Sequence, residues 1–401
     1  MAFLTGWTPR ERHAVIASYL GWALDAFDFF VLVFVLPDVA ASFGVGVPAV
    51  AVAVTLTLAF RPLGAFIFGR FADRYGRRPV LMANIAFYSL FGFLTAFSPN
   101  LVGFFVVRSL FGVAMGGVWG IGASLAFETI KREKRGFVSG LMQSGYATGY
   151  LGASLVFGFL FAAVGWRGMF MIGIVPAALL ICYIWLAVEE APGWDMTRAR
   201  ASNTFSVLRK HWKLALYAVA MMTAFNFFSH GTQDIYPLFL QKQHGFSHAT
   251  VSTIAVIYNI GAIIGGLIFG ALSQHLGRRR TAIIAALLAL PVAWLWAYSE
   301  TAALLALGAF LMNFLVQGAW GVVPAHLNEL SPPDARGTFP GTVYQLGNLI
   351  ASVNAVLQTG IAARTGGNYA LALASVAVCA ALAIAIFMKF GPEARDVEMV
   401  S

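Results

Sequence analysis

Residues 69–78 read GRFADRYGRR, and residues 270–279, which begin 201 positions later, read GALSQHLGRR. A second loop repeats the offset in three pairs: Glu128 with Glu329, Arg135 with Arg336 and Gly136 with Gly337. Two separate loops that share one register are poorly explained by chance, whereas a duplicated unit explains both. The sequence therefore predicts that the 401-residue chain consists of two copies of one structural unit.

Long apolar runs surround both loops. Apolar residues make up 59% of the chain and charged residues 11%, whereas a soluble domain carries about 25% charged residues. Twelve apolar stretches, six on each side of a polar interval at 189–213, approach the ~20 residues that a membrane-spanning helix needs. We predict an all-α integral membrane protein of twelve transmembrane helices, arranged as two six-helix bundles (residues 1–188 and 214–401) that a cytoplasmic linker joins at 189–213.

The basic residues indicate an orientation. Of the 26 Lys and Arg, Arg167, Lys242 and Arg364 fall in odd-numbered loops, and Arg61 and Arg108 lie well inside spans. The other 21 lie in the two termini and in the even-numbered loops. Because basic loops stay in the cytoplasm, we predict that both termini are cytoplasmic and that the protein is a multi-pass plasma (inner) membrane protein of a bacterium. The net charge of +9 therefore indicates orientation in a membrane, and we expect no nucleic-acid partner.

The sequence lacks the patterns of an enzyme. Cys182 and Cys379 lie inside predicted spans, so they form neither a disulfide framework nor a metal-type spacing. No nucleotide-binding loop of the Walker type is present, and no serine has a paired base. We expect no catalytic activity, no metal and no cofactor. A membrane sensor without transport activity is a weaker alternative, because neither terminus is long enough for a signalling domain.

The motifs resemble a known family. GRFADRYGRR resembles the signature loop of the major facilitator superfamily between helices 2 and 3. The fourth span, with Arg108, Gly112 and Gly116, is similar to the arginine-and-glycine motif of helix 4 in that superfamily. GWRGMF, residues 165–170, resembles its usual entry to helix 6. The resemblance covers essentially the whole chain, and it implies a carrier that works by alternating access of its two halves.

The loop residues form a candidate conformational latch. Gly69 allows two helices to approach closely, and Asp73 can cap or pair near a helix end. The resemblance implies ion pairs between the acids and arginines of these loops that hold one conformation and break in the other. The candidate latch residues are Gly69, Asp73, Arg74, Arg77, Arg78, Glu128 and Arg135. The alternative is that these arginines only set the topology. Since Gln274 replaces the aspartate in the second copy, we predict a weaker latch there.

A finer resemblance lies in helix 7. NFFSHGTQD, residues 226–234, is similar to the signature of the sialate and lactate proton-symporter branch, and closest to the fungal lactate permeases and their bacterial relatives. GWALDAFDFF, residues 21–30, also resembles that branch, whereas FRPLGA, residues 60–65, is shared more widely among organic-acid proton symporters. The resemblance implies a small organic anion and a proton as partners, with a monomer as the functional unit.

Ionisable residues within spans are costly, and they usually mark a transport path. In helix 7, Asn226, His230, Gln233 and Asp234 share one face. His230 and Asp234 lie one turn apart and can hydrogen-bond, which suits a proton coupler. The alternative is a static polar cluster. Including the helix 1 acids, the candidates for proton coupling are Asp234, His230, Asp25 and Asp28.

The arginines predict the charge of the substrate. A guanidinium stays ionised and matches a carboxylate in shape. Arg61 lies about two turns (~12 Å) before Gly69, near mid-membrane depth, so we predict that it is the main partner of the anion. Arg108 is second, with the alternative that it pairs structurally with an acid of helix 1. The candidate substrate-binding residues are Arg61, Arg108, Asn226, Gln233, Gln317 and Gln345.

Together these patterns predict secondary active symport of a small monocarboxylate, such as lactate or pyruvate, with a proton. The alternative substrate is a bulkier organic acid, sialate or an aromatic acid. A drug–proton antiporter is disfavoured, because two arginines within the spans repel cations.

Overall fold

The structure is a computed structural model, and it describes residues 6–192, 194 and 204–399. In these ranges the backbone forms α-helices joined by short turns, without strands. Two 3-10 turns, Arg132–Lys134 and Pro333–Ala335, precede α6 and α15. The helices are α1 (Pro9–Phe43), α2 (Val47–Tyr75), α3 (Arg77–Thr95), α4 (Leu101–Met115), α5 (Val118–Thr129), α6 (Arg135–Ile172), α7 (Ile174–Ala187), α8 (Thr204–Lys210), α9 (Trp212–Gln233), α10 (Tyr236–Lys242), α11 (His248–Leu276), α12 (Arg278–Tyr298), α13 (Ala302–Trp320), α14 (Val323–Leu330), α15 (Phe339–Ala351), α16 (Asn354–Arg364) and α17 (Tyr369–Phe390).

Within the described ranges the helices form twelve membrane-length spans. Single helices form spans 1 (α1), 2 (α2), 3 (α3), 8 (α11), 9 (α12) and 12 (α17). Two consecutive helices form spans 4 (α4 and α5), 7 (α9 and α10), 10 (α13 and α14) and 11 (α15 and α16), and spans 5 and 6 are continuous in α6 and α7. They separate at Gly165, whose φ of 62° favours glycine. In the described ranges, nine helical stretches are long and apolar enough to cross a membrane, and the 56-residue stretch Arg132–Ala187 contains two spans. Spans 3 and 7 fall outside this set, because polar residues such as Asn84 and His230 lower their hydropathy.

The two halves repeat one architecture at the predicted offset. Val47–Tyr75 and His248–Leu276 differ by 201 positions at both ends, and so do the two 3-10 turns. The turns after α2 and α11 contain Gly76 and Gly277, with φ of 105° and 96°, a region that favours glycine. The repeat read from the loops therefore extends to whole helices.

The predicted linker is only partly described, since residues 193 and 195–203 lie outside the described ranges. Its described end contains the short helix α8, and α9 already begins at Trp212. The division into 1–188, 189–213 and 214–401 stays a prediction.

The halves touch at one end of the bundle. We call this end the basic face; it carries the turns between spans 2 and 3, 4 and 5, 8 and 9, and 10 and 11. A Cβ added to Gly69 of span 2 would lie 2.6 Å from Thr338 Cα of span 11. Related contacts join spans 5 and 8, where a Cβ on Gly270 would lie 2.7 Å from Gly140 N. The structure is therefore in a state closed at the basic face.

Candidate functional site

An ion pair lies at the centre of the first half. Arg61 Nη2 of span 2 is 3.1 Å from Asp25 Oδ2 of span 1, and both side chains are buried. The guanidinium lies 5.9 Å from the centre of the Trp22 ring. Asp25 Oδ1 and Arg61 Nε make no hydrogen bond with any described residue. The pair therefore keeps unused hydrogen-bonding capacity, which is costly for buried charges and available to a ligand.

Arg108 occupies a different environment. It is fully buried, and its guanidinium lies 3.9 Å from the centre of the Phe111 ring. None of its three nitrogens hydrogen-bonds to a described residue, although the buried Asp28 carboxylate interacts with it electrostatically. This arrangement agrees better with a structural charge pair than with an anion site open to substrate.

Span 7 contributes a histidine–aspartate pair. His230 Nδ1 is 3.1 Å from Asp234 Oδ1, and His230 Nε2 is 2.9 Å from Asn348 Oδ1 of span 11. Both ring nitrogens thus face oxygen acceptors, an arrangement that suits a doubly protonated imidazolium. The side chains are 31% and 38% exposed, so neither is enclosed on all sides by packed residues. His230 also interacts electrostatically with Arg61. We call the surroundings of these two residues the central region.

A chain of amides crosses between the halves. Gln143 Nε2 of span 5 donates to Gln317 Oε1 of span 10 at 3.3 Å, and Gln317 Nε2 donates to Ser229 Oγ of span 7 at 3.3 Å. Gln233 Nε2 reaches the same hydroxyl at 3.4 Å. Gln317 and Gln233, both predicted from the sequence, are therefore connected through Ser229.

The other two predicted amides differ from each other. Asn226 Nδ2 donates to Met222 O of its own helix at 2.8 Å, so one of its two N–H donors is already in use. Gln345 is buried, and neither its amide nitrogen nor its amide oxygen hydrogen-bonds to a described residue. A buried amide without partners has a free energy cost of about 1–3 kcal/mol, so Gln345 is the better ligand candidate of the two.

Aromatic rings line the same region. Trp22 and Tyr146 stack with 5.5 Å between ring centres. Phe30 contacts Tyr146 and Tyr150 edge-to-face at 5.2 Å and 4.8 Å. The available signal was helical spacing: Trp22 and Phe30 are eight residues apart, so they share one face of α1.

At the basic face, the latch residues of the first half form a buried network. Arg77 Nη2 lies 3.0 Å from Glu128 Oε1 and 3.3 Å from Asp73 Oδ1. Asp73 also accepts three hydrogen bonds from the second half: from Gly337 N at 2.6 Å, Thr338 N at 3.0 Å and Thr338 Oγ1 at 2.6 Å. Asp73 is thus the residue that links the halves here.

Two further arginines of this loop lie outside the network. Arg74 is exposed and lies over the Tyr75 ring at 5.6 Å. Arg78 Nη2 donates to Trp185 O at the end of span 6 at 2.5 Å. Their predicted roles as latch residues stay predictions.

The second half repeats the network with fewer hydrogen bonds to the other half. Arg278 pairs with Glu329 at 2.8 Å, and the cross-half acceptor is Gln274 Oε1, which receives one hydrogen bond from Gly136 N at 3.1 Å. Arg135 of the first half lies 3.9 Å from Glu329 of the second half, which is a further contact between the halves. Two carboxylates, one in each half, therefore hold their arginines in the same way, while the cross-half acceptors differ in charge.

No group of three or more His, Cys, Asp or Glu that could hold a metal ion occurs within the described ranges.

Comparison with known proteins identifies the chain. The sequence profile described as "Major Facilitator Superfamily" matches residues 18–235 and, a second time, residues 219–398. The chain belongs to the major facilitator superfamily. Because this superfamily consists of membrane transporters, the chain is a multi-pass membrane transporter and not an enzyme.

Named relatives and a solved structure support this assignment. The chain is 30% identical to a "Carboxylic acid transporter protein homolog" of Saccharomyces cerevisiae over 86% of this chain and 61% of the yeast protein. It is 26% identical to the "Sialic acid transporter NanX" of Escherichia coli over 94% of both chains. The fold matches that of the proton:xylose symporter XylE with a TM-score of 0.76 and 17% identity, over 96% of each chain. The major facilitator fold of two six-helix bundles is thus confirmed.

The latch of this major facilitator transporter can be tested on the two cross-half acceptors. We predict that Asp73→Ala raises the ratio of molecules with an open basic face to molecules with a closed one by at least about tenfold. Hydrogen bonds to a charged acceptor contribute about 1.5–3 kcal/mol, and this variant removes them. Gln274→Ala, the matched variant of the second half, should change the ratio by less than about threefold, because it removes one neutral hydrogen bond between the halves, and the bond that Gln274 accepts from Arg278 lies within the second half.

The measurement is the distance between spin labels at Glu133 and Arg280, two exposed residues of opposite halves, in a Cys182→Ser, Cys379→Ser background. Equal effects of the two alanine variants would contradict the role given to Asp73.

Proposed function

We propose that the chain is a symporter that carries a small monocarboxylate of lactate or pyruvate size together with a proton. The observation that carries the proposal is the buried pair of Asp25 and Arg61, 3.1 Å apart, in the central region shared by both halves. A buried arginine requires an anionic partner, and here either a protein carboxylate or a substrate carboxylate can serve.

Because Asp25 and the substrate carboxylate compete for Arg61, transport of the anion is coupled to transport of the proton. When Asp25 takes up a proton, Arg61 loses its negative partner, and a substrate carboxylate becomes the preferred anion. Without a substrate, the charged Asp25 compensates Arg61. The central region is therefore neutral when it is empty and when it holds both species. A carrier that changes conformation only in these two states moves the anion and the proton together.

His230 and Asp234 form the second proton site in this proposal. Their exposure, 31% and 38%, gives protons a route to the interior from solvent. A proton on the imidazole would add positive charge near Arg61, with which His230 interacts, and would strengthen the attraction for an anion. The pair would thus raise the affinity for the substrate at low pH.

The names of the relatives support an organic acid. One relative is named for carboxylic acids and the other for sialic acid. Since this chain spans 61% of the yeast protein's length, the substrates of that protein support the proposal without deciding it.

A bulkier acid, sialate or an aromatic acid, is the second candidate substrate. The observation in its favour is the group of half-buried rings formed by Phe30, Tyr146 and Tyr150. Such rings provide apolar surface for a larger body attached to the carboxylate. The same coupling between Asp25 and Arg61 would apply.

Orientation, location and functional unit belong to the same proposal. We propose cytoplasmic termini in the plasma (inner) membrane of a bacterium, because basic loops remain in the cytoplasm, and a monomer as the transporting unit. The basic face would then be the cytoplasmic face, and the closed state seen here would be the one that admits substrate from outside.

The test is uptake of labelled L-lactate into proteoliposomes under an inward proton gradient. We expect accumulation that a protonophore abolishes and that protein-free liposomes lack. If sialate or benzoate accumulates instead, the coupling is supported and the lactate assignment is wrong. If the gradient moves no acid, proton-coupled anion transport is wrong for this chain.

A further inference from the structure

After span 12 the chain crosses the basic face as a non-helical segment with a turn at residues 395–396; we call residues 391–399 the tail segment. Its first contacts are with the second half. Glu393 Oε2 accepts a hydrogen bond from Arg279 N at 3.1 Å, and Arg395 Nη1 donates to His275 O at 3.0 Å. The tail segment thus follows the turn between spans 8 and 9 toward the boundary of the halves.

The next contacts are with the first half, beyond that boundary. Arg135 Nη1 donates to Val397 O at 2.7 Å, and Arg132 Nη2 lies 3.4 Å from Asp396 Oδ1. Arg132 and Arg135 belong to the turn between spans 4 and 5. The tail segment therefore bonds both halves on the face where they separate during transport.

The end of the segment is inserted between the halves. Met399 is 2% exposed and packs in an apolar cluster with first-half residues including Val15, Phe127 and Val138, and with Ala325 of span 10. Its carbonyl accepts a hydrogen bond from Arg336 Nη1 at 3.0 Å. An apolar side chain at this position excludes water from the closed end.

We propose that the tail segment is an intramolecular strap that holds the carrier closed at its basic face. Opening moves spans 4 and 5 away from spans 10 and 11, so the contacts of Met399 to both sides cannot all persist. The strap must be released before the basic face opens, and its binding strength sets the share of closed molecules. This inference goes beyond the proposed symport and does not depend on the substrate.

The contacts of the tail segment differ in how much they contribute to the free energy that holds the basic face closed. The Arg132–Asp396 ion pair is 41% and 63% exposed, and exposed pairs contribute little. The buried Met399 side chain and the buried Arg135 bonded to Val397 O are shielded from solvent, so they carry most of the holding energy. We therefore expect the closed fraction to depend weakly on salt.

The strap can be tested by making the same substitution to aspartate separately at Met399 and at Val397. Met399→Asp places a charge in the buried cluster, and Val397→Asp places it on a side chain that is 38% exposed while keeping the backbone acceptor. With spin labels at Glu133 and Arg280, we expect Met399→Asp to raise the open-to-closed ratio by about fivefold or more, and Val397→Asp by less than about twofold.

A graded series guards against misfolding of the aspartate variant. Met399→Leu should leave the distance distribution unchanged, and Met399→Ser should give an intermediate shift. Equal shifts at both positions, or no shift in the Met399 series, would overturn the strap. Since the readout is a distance and not transport, a wrong substrate assignment would not affect this result.

Discussion

Replacement of Arg61 by alanine is expected to reduce proton-driven uptake of the acid by at least about 100-fold, because loss of one partner of a buried charge pair costs 2–5 kcal/mol or more. Arg61→Lys keeps the charge but loses the planar fork that matches a carboxylate, so we expect a smaller loss, about tenfold. The measurement is the initial rate of uptake into proteoliposomes at equal protein content.

A double variant separates loss of binding from loss of folding. Arg61→Ala leaves Asp25 as an uncompensated buried charge, which destabilises a protein. Arg61→Ala with Asp25→Asn removes both charges, so it should fold as stably as the natural chain and still fail to accumulate the acid. Uptake at the natural rate in either variant would mean that the anion binds elsewhere.

Asp25→Asn is expected to uncouple the carrier. The amide has the size of the carboxyl group but no charge to take up or release, so Arg61 accepts a substrate carboxylate without a proton. We expect exchange of labelled for unlabelled acid to stay within about tenfold of the natural rate, while a proton gradient no longer drives accumulation. Both quantities can be measured in the same liposomes.

The matched variants are Asp28→Asn and Asp234→Asn. Asp28 interacts with Arg108, so its loss should lower stability without abolishing accumulation selectively. If Asp25→Asn remains coupled and Asp234→Asn does not, the His230–Asp234 pair is the coupling site and the competition for Arg61 is wrong.

The fold could be predicted because its determinants are local and repeated. Membrane length, basic loops and the turns at Gly76 and Gly277 are each encoded by adjacent residues. The cross-half part of the latch could not be predicted. Asp73 binds the backbone N–H groups of Gly337 and Thr338, and backbone donors have no sequence signature.

The sequence could predict how deep the site residues lie in the membrane, but not which of them form pairs. Helical rise places Asp25, Arg61 and His230 near the same level, but the rotation of each helix about its axis decides which side chains meet. The sequence left the acid partner of Arg61 open, and the structure places Asp25 there. Phe30 was not recognised, because phenylalanine is equally common on lipid-facing surfaces of a chain this apolar.

The offset of 201 positions has a consequence for how the two copies have diverged. The four intramembrane charges of the first copy, Asp25, Asp28, Arg61 and Arg108, correspond in the second to neutral residues: Asn226, Ser229, Ala262 and Ala309. Conversely, His230 corresponds to Phe29. The copies have therefore diverged: the first contains two aspartates and two arginines within its spans, and the second contains the His230–Asp234 pair together with neutral amides. Two identical copies of either half would build a symmetric bundle without a complete set of these groups, so both are required in one carrier.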